Sequence, residues 1–556
     1  MLDIIIKNGT VIDGAGKKVY KADLGVINGK IVTIGDLSKA RADEIIDAKD
    51  KFVTPGFIDI HNLSDGYLTL FTVPTQDSLV RQGVTTAIGG SSGSSLAPLA
   101  TPPTNKLLRK IWVSRRLPDI ILAPTTTLAM IKSVRRWAEI FGFNINWLTF
   151  KEYLREIQKR GISINFGSLV GHTTLRRGLI KDEVRDLTKE EMKMMEDLIT
   201  HALEGGSFGL SFGLAYSHVN FVKTEELVDL ARPVSKRKGI CTFYLRDERK
   251  RLVEAVKEAI AVGKETGSKI QIAHLKAKGQ SNWGNFTKAL EKIDGASRNL
   301  DIHFDIYPYT ATASVLYMYL PDWVARGGRE KMLERLVDSK LRKKILEDIK
   351  KQPIDYGKLT IAMSPFNKTY VGRSIREIAE WRAISIGETV VEVLLAGRGH
   401  VIVFDPSLSE ENLEKAIKNP LCMIATNGAG YNLEHYRSLK QFKGGQQLVH
   451  PRCFGTFPRF LGRYVREKKL IFWEEAIRRI TGLPAKKLGL TRRGIIKQDY
   501  LADITIFDPK TIIDRATYDN PYQYPKGVEW VLVNGEVVVR KGKHTGKLAG
   551  KVLKHG

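Results

Sequence analysis

Hydrophobic and polar residues alternate with a period of two at both ends of the chain. The stretches DIIIKNGTVID and ADLGVINGKIVTIGD near the start, and VEWVLVNGEVVVRKGK near the end, follow this pattern. Alternation of this kind is typical of half-buried strands, and the Asn-Gly turns between them are typical of β-hairpins. We therefore predict one small β domain that both termini build together, over residues 1–55 and 486–556.

The middle of the chain alternates short apolar runs with amphipathic stretches. SFGLSFGL, GICTFYL and SKIQIAHLK favour strands, whereas TEELVDLARPVSKRKG and RLVEAVKEAIAVGKETG favour helices that each end at a C-cap glycine. Repetition at about 30 residues indicates βαβ units and a parallel sheet. The predicted fold class is therefore α/β, with a (β/α)₈ TIM-type barrel over residues 56–485 and a small β-sandwich domain. The charged segment 320–400 is predicted to be a helical insertion outside the barrel.

The net charge of +27 is concentrated in three stretches. Residues 101–137 carry eight Lys or Arg and one acid, residues 434–469 carry nine and two, and residues 537–556 carry six and none, so together they hold +20 of the +27. Localised positive charge attracts anionic partners. Many charges of both signs are also typical of thermophile proteins, but that explains their abundance and not their imbalance.

The cysteine content, the hydrophobic runs and the N-terminus bear on the cellular compartment of the protein. Only three cysteines are present, which fits a reducing compartment without a disulfide framework. No run of about 18 apolar residues occurs, so we expect no membrane span. The N-terminus resembles a strand and turn more than a signal peptide. We expect a cytoplasmic protein.

A series of motifs follows the predicted strand ends, where barrel enzymes carry their catalytic groups. PGFIDIH delivers His61 to such an end, and RQGVTTAIGGSSGSSLAP, LVGHTTLRR, GLSFGLAYS, YLRDE, IAHLKAKGQSNWG, DIYPYTA, MIATNG and HPRCFGTFPRFLGRYVRE follow in order. Together these motifs resemble the N-acyl-D-amino-acid deacylase (D-aminoacylase) family of the amidohydrolase superfamily, over nearly the whole chain. The resemblance implies a metal-dependent hydrolase that cleaves N-acylated D-amino acids.

The resemblance breaks at the positions that match the metal ligands of the family. Two matched positions keep histidine, His61 and His274. The positions of a His, a Cys, a second His and an Asp in the family carry Leu63, Ser92, Tyr244 and Asn427 in this chain. Leucine cannot bind a cation, while neutral serine and phenol are poor substitutes for thiolate and imidazole.

The lost ligands favour a protein without a metal and without hydrolytic activity. Catalytic zinc usually has three protein ligands, and only two matched positions keep one. In the family the last aspartate also takes the proton of the attacking water, which Asn427 cannot do. We therefore expect no cofactor and no catalytic residue. A site rearranged around His172, Asp247 or Glu248 is the alternative, and its cofactor would be zinc.

Other residue patterns add few candidates. Lys276, Tyr309 and Arg452 match family positions that could meet a substrate carboxylate, although such groups also stabilise barrel rims. The glycine-rich turn around Ser92 lacks the Lys-Ser/Thr of a P-loop. No Gly-x-Ser-x-Gly elbow follows a strand, so no nucleophilic serine is predicted.

The main functional hypothesis is a catalytically inactive pseudoenzyme that serves as a basic scaffold for RNA or a ribonucleoprotein such as the ribosome. The segment KLLRKIWVSRRLP interleaves Trp112 with basic residues, as phosphate contacts and base stacking require. The predicted phosphate contacts are Lys106, Arg109, Lys110, Arg115 and Arg116. The simpler explanation is a solvated basic face.

Two alternatives remain open. One is an active metal-dependent amidohydrolase of the N-acyl-D-amino-acid deacylase type, and the other is an inactive subunit of a hetero-oligomer. Fold alone does not decide between them, because function resides in the site. A homodimer is the default expectation for the assembly.

Overall fold

Eight parallel strands form a closed barrel in the computed structural model, which describes residues 1–99, 147–433 and 447–556. Adjacent strands pair in parallel, and a bridge between Asn62 and Gly428 joins the last strand end to the first. Nearly all residues of these strands are buried, as expected where side chains fill the barrel and helices cover it. In chain order the strands are Phe57–Asp59, Val84–Gly89, Asn165–Ser168 with Val170–Gly171 as its continuation, Gly209–Gly213, Ile240–Tyr244, Lys269–Ile272, Ile302–Ile306 and Cys422–Ile424.

Amphipathic helices cover the outside of the barrel. The helix Leu252–Thr266 ends at Gly267 in the left-handed conformation (φ 71°), as its sequence predicts. The helix Thr224–Lys236 ends before the expected glycine, because Lys238 takes the left-handed conformation (φ 57°) instead. The other barrel helices are Thr69–Thr72, Asp77–Val80, Phe150–Arg160, His172–Ile180, Lys189–Glu204, Gly284–Ser297, Glu410–Lys418, Arg452–Arg459, the π-helix Phe460–Glu467, Trp473–Ile480 and Gly482–Leu488.

Both termini contribute to the small β domain. Strand Phe52–Pro55 pairs with Ile504–Phe507, which joins residues about 450 positions apart in the chain. One sheet contains Lys543–His544, Glu536–Arg540, Val528–Val533, Ile504–Phe507, Phe52–Pro55, Thr10–Val11 and Tyr20–Lys21 in that order, and a second contains Lys30–Gly35, Asp23–Ile27, Leu2–Lys7 and Ala42–Asp47. A shared apolar core that includes Ile4, Val26 and Leu532 lies between them. The predicted fold class is confirmed.

The segment between the last two barrel strands folds around its own apolar core. Leu316, Ile345, Val391 and Val403 are all buried in that core. The helices are Asp322–Ala325, Gly328–Val337, Ser339–Lys351, Ile375–Arg382 and Ile386–Ala396. An antiparallel sheet of Thr312–Val315, Ile402–Asp405 and Thr360–Met363 accompanies them, which the charged helical pattern of the sequence did not reveal.

Two general features complete the fold. Cys241, Cys422 and Cys453 are free and buried. In the part of the chain that the structure describes, no helix is both long enough and apolar enough to cross a membrane.

Candidate active site

The side chains at the positions matched to metal ligands gather at one end of the barrel, where the strands end. His61 follows Phe57–Asp59, and His274 follows Lys269–Ile272. The centroids of these two imidazole rings are 5.1 Å apart. Tyr244, the last residue of its strand, packs edge-on against His274 with ring centroids 4.5 Å apart. This arrangement forms a buried polar cluster at the barrel mouth.

His61 lies between a carboxylate and a hydroxyl. Its Nδ1 is 3.0 Å from Oδ1 of Asp305, and its Nε2 is 3.4 Å from Oγ of Ser92. Asp305 is 1% exposed and accepts two further hydrogen bonds, from the backbone N–H of His274 and from the side chain of Gln271. Burial raises the pKa of Asp305, but His61 and the hydrogen bonds outweigh burial and hold it below its usual value. An ionised Asp305 fixes the proton of His61 on Nδ1 and leaves Nε2 with its lone pair.

Ser92 lies in a tight turn that directly follows strand Val84–Gly89. Its backbone is left-handed (φ 56°), which is uncommon for a residue other than glycine. Gly90 makes the turn possible, because a Cβ there would lie 1.9 Å from the carbonyl oxygen of Leu169. Ser211 clamps the turn, since its hydroxyl accepts from the N–H of Gly93 and donates to the carbonyl of Gly90. The turn therefore fixes the Ser92 hydroxyl beside His61.

A second charged cluster surrounds His274. Nζ of Lys276 lies 2.7 Å from Nδ1 of His274 and donates to Glu248 at 2.6 Å, and Lys278 forms an ion pair with Glu248 at 2.9 Å. Burial, together with the positive charge of Lys276, lowers the pKa of His274 to about 3. Burial also lowers the pKa of Lys276 to about 7, against the attraction of Glu248. Nδ1 of His274 also lies 3.2 Å from Glu248, so this ring nitrogen has both of its polar neighbours within the protein.

At the remaining positions matched to metal ligands of the family, this chain carries uncharged side chains. Asn427 is left-handed (φ 43°), and its backbone N–H donates to the carbonyl of His61 at 2.8 Å. Leu63 donates its backbone N–H to the carbonyl of Gly428. The side-chain amide of Asn427 and the hydroxyl of Tyr244 are not hydrogen-bonded to any other residue in the described ranges. Burial holds the pKa of Tyr244 well above its usual value, so its hydroxyl stays a donor.

These residues do not fit a metal centre of the kind that the family motifs imply. Among the described residues no group of three or more His, Cys, Asp and Glu side chains is placed to hold a metal ion. In each of the two retained histidines Nδ1 is engaged within the protein, by Asp305 in His61 and by Lys276 and Glu248 in His274, so at most one ring nitrogen of each is left for a metal ion. Two imidazole nitrogens are fewer than the three protein ligands usual for catalytic zinc.

Arg452 adds a buried positive charge near the cluster. Its guanidinium lies over the ring of Tyr307, with Cζ 4.7 Å from the ring centroid, and Lys276 approaches the same ring at 6.0 Å. Arg452 is 5% exposed, yet its Nε and Nη1 have no hydrogen-bond partner within the described part of the chain. Buried donors without a partner are costly, so this guanidinium is suited to an anion that binds from outside.

The other candidates for a substrate or metal site have partners of their own. Tyr309 lies under Arg459 and donates to Asp514 at 3.2 Å. Buried His172 contacts Glu226 at 2.8 Å. Asp247 accepts backbone hydrogen bonds from the residues that follow it. The structure thus places neither His172 nor Asp247 beside His61, whereas Glu248 contacts His274 through Nδ1 at 3.2 Å. The substrate roles of Lys276, Tyr309 and Arg452 stay predictions.

Sequence reasoning missed Asp305, which directs His61. Asp305 lies at the end of strand Ile302–Ile306, so its position at a barrel strand end is a signal that was present in DIYPYTA. Lys278 was also missed, although it stands two residues beyond Lys276 in the same motif.

Comparison with known proteins identifies the family. The chain is 31% identical to a D-aminoacylase of Alcaligenes xylosoxydans xylosoxydans over 99% of this chain and 97% of the relative. The chain belongs to the N-acyl-D-amino-acid deacylase family of amidohydrolases. An N-acyl-D-aspartate deacylase of the same organism is 30% identical over all of this chain and 95% of its own length. The profile described as "Amidohydrolase family" matches residues 448–539.

Solved structures agree with the assignment of the chain to the deacylase family. An N-acyl-D-glutamate deacylase from Bordetella bronchiseptica, solved with zinc and a phosphonate mimic of the tetrahedral intermediate, superposes with a TM-score of 0.77. The identity is 28%, over all of this chain and 99% of that chain. A D-aminoacylase described with a binuclear metal centre gives a TM-score of 0.78 at 30% identity over all of both chains. Metals are thus present in solved deacylases of this fold.

The hypothesis of an inactive RNA-binding scaffold is wrong. Over its full length the chain matches relatives that are named for deacylase activity and not for RNA binding. The hypothesis treated the loss of metal ligands as the loss of all chemistry. The structure shows instead that Ser92, His61 and Asp305 form a connected polar chain at the same place.

Part of the basic charge behind that hypothesis is engaged in ion pairs within the protein. In the second basic stretch Arg463 and Lys468 pair with Glu410, and Arg459 pairs with Asp514. In the third stretch Arg540 pairs with Glu44. The five predicted phosphate contacts, Lys106, Arg109, Lys110, Arg115 and Arg116, lie outside the described residues. An RNA contact at those five residues and a homodimer stay untested predictions.

Proposed function

We propose that this protein is an active deacylase that hydrolyses the amide bond of N-acyl-D-amino acids. The reaction adds water across the amide and releases a carboxylic acid and a D-amino acid. Full-length relatives named D-aminoacylase, N-acyl-D-aspartate deacylase and N-acyl-D-glutamate deacylase support the substrate class.

The buried guanidinium of Arg452 is the observation that carries the proposal. An N-acyl amino acid has one carboxylate that stays charged at neutral pH, and a guanidinium can bind it through two N–H groups. Nε and Nη1 of Arg452 are both buried and without partners among the described residues. Because Tyr307 contacts both Arg452 and Lys276, the guanidinium lies near the polar cluster of the barrel mouth.

The cluster can act on the amide that such a substrate presents. His61 offers a basic Nε2 that Asp305 orients, while Tyr244 and Asn427 offer neutral donors for a carbonyl oxygen. Because the donor set does not fit a metal centre, no step of this proposal uses a metal ion. Hydrogen-bond donors preorganised around a developing oxyanion are a large source of rate enhancement in acyl transfer.

The proposal is tested by measuring amine release from matched pairs of N-acetyl-D- and N-acetyl-L-amino acids. We expect release from D substrates, and much slower release from their methyl esters, which lack the negative charge. Absence of release from every D substrate tried, or equal rates for acid and methyl ester, would contradict the proposal.

A further inference from the structure

We propose that Ser92, His61 and Asp305 form a catalytic triad that performs this deacylation through an acyl-enzyme in place of metal-activated water. The inference rests on the proposed function for its substrate class. Ser92 would be the nucleophile and His61 the general base, both catalytic residues, while Asp305 is a positioning residue that acts through His61.

The contacts of His61 fit these roles. A hydroxyl, an imidazole and a buried carboxylate in series are the arrangement by which serine hydrolases activate their nucleophile, whatever the fold. Here the separations are 3.4 Å from Ser92 Oγ to His61 Nε2 and 3.0 Å from His61 Nδ1 to Asp305 Oδ1. The first separation exceeds a short hydrogen bond, as is common before substrate binds.

The turn that carries Ser92 gives independent support. The left-handed backbone of Ser92 is sterically costly, and such conformations cluster at functional sites. Gly90 and Gly93 allow it, since a Cβ on either would meet backbone atoms of a neighbouring strand at 1.9 Å and 2.6 Å. Asp65, which is buried, accepts from the N–H of Gly90 at 2.6 Å and fixes the start of the turn. The sequence is not a Gly-x-Ser-x-Gly elbow, but the turn likewise presents a strained serine directly after a barrel strand.

The reaction balances with water as the only co-reactant. Oγ of Ser92 attacks the acyl carbon, and its proton moves to Nε2 of His61. The C–N bond then breaks, and His61 returns the proton to the leaving nitrogen, which departs as the amino acid. Water attacks the Ser92 ester with His61 again accepting a proton, and the carboxylic acid leaves as Ser92 recovers its hydrogen.

The surrounding side chains suit this chemistry better than they suit a metal ion. Tyr244 and Asn427 replace metal-binding side chains of the family with neutral donors, and neither side chain is hydrogen-bonded to another described residue. An oxyanion is stabilised by such donors in a site that excludes water. Three of the four departures from the family pattern therefore have a role in this proposal: Ser92 as the nucleophile, and Tyr244 and Asn427 as hydrogen-bond donors.

The test uses the full-length protein, stripped of metal with a chelator and verified by elemental analysis. A fluorophosphonate is added as the probe, because an activated serine displaces its fluoride to form a stable phosphonyl ester. Peptide mapping by mass spectrometry is expected to find the label on Ser92. His61→Gln is expected to slow labelling on the order of 10⁴-fold or more, as the loss of a triad member does elsewhere.

Four variants separate the triad from a structural role. Ser92→Gly abolishes labelling without strain, because glycine accepts the left-handed backbone. Ser91→Ala, in the same turn, is the matched control and leaves labelling unchanged. Asp305→Asn slows labelling, and Asp305→Glu restores part of the rate while the KM for the deacylase substrate stays the same.

The outcomes distinguish the two proposals. Label on Ser92 without hydrolysis of any N-acyl-D-amino acid supports the triad and contradicts the proposed substrate. Hydrolysis that disappears on chelation and persists in Ser92→Gly overturns the triad and leaves the deacylase function standing. Absence of label on Ser92 also overturns the triad.

Discussion

The guanidinium of Arg452 lies over the ring of Tyr307, with Cζ 4.7 Å from the ring centroid. The ring covers one face of the cation but cannot accept in-plane hydrogen bonds from Nε and Nη1, which remain without partners in the described part of the protein. A ligand carboxylate would satisfy both donors, which makes the effect of this residue on substrate binding predictable.

Replacing Arg452 by Met is therefore expected to raise the KM for N-acyl-D-amino acids by about 10- to 100-fold. Hydrogen bonds to charged groups contribute about 1.5–3 kcal/mol, and every 1.4 kcal/mol is a factor of ten. Steady-state kinetics measure the effect. The matched control is Arg463→Met, since Arg463 is more exposed and pairs with Glu410 away from the mouth. Equal changes in the two variants would argue against carboxylate binding by Arg452.

Asp503 is expected to be a strong determinant of stability. It is 5% exposed, forms an ion pair with Arg493, and accepts hydrogen bonds from Asn165 and from the backbone of Asn534. Breaking a buried pair leaves an uncompensated charge, at a cost of about 3–5 kcal/mol. Asp503→Ala should lower the urea midpoint markedly, whereas Glu536→Gln, which breaks the exposed pair with Lys547, should leave it nearly unchanged. Similar midpoints for both variants would contradict this account.

Lys487 should make stability depend on pH in the alkaline range. Burial lowers its pKa from 10.5 to about 8, although Asp301 opposes the shift. Between these two values the unfolded chain binds more protons than the folded chain, so stability rises with pH. The free energy of unfolding of the wild type, relative to Lys487→Met, should increase from pH 8 to pH 10.5 by about 1.4 kcal/mol for each unit of pKa difference. Urea unfolding of both proteins across this range provides the measurement, and a constant difference would contradict the prediction.

The fold could be predicted because its signals are local. The alternation of VEWVLVNGEVVVRKGK and the Gly-capped pattern of RLVEAVKEAIAVGKETG depend on neighbouring residues only. The small sheet beside the insertion was missed because Thr312–Val315 and Ile402–Asp405 pair across about 90 residues.

The site was predictable only in part, because its contacts join residues that lie far apart in the chain. Motif comparison identifies His61, Ser92 and His274, but each appears alone as a lost or retained ligand. Their meaning changes when Asp305, more than 200 positions away, proves to hold His61 toward Ser92. The charge count over residues 434–469 was misleading for a similar reason. Lys468 pairs with Glu410, which lies outside that stretch and was not included in the sum.

The most direct test of the central claim is the release of D-amino acid from N-acetyl-D-amino acids by metal-stripped protein, with residual metal measured by elemental analysis in the same sample. The account predicts that release continues after chelation and is lost in Ser92→Gly but retained in Ser91→Ala. Release that is lost on chelation and restored by zinc would contradict it, as would absence of release from both the stripped and the zinc-supplied protein.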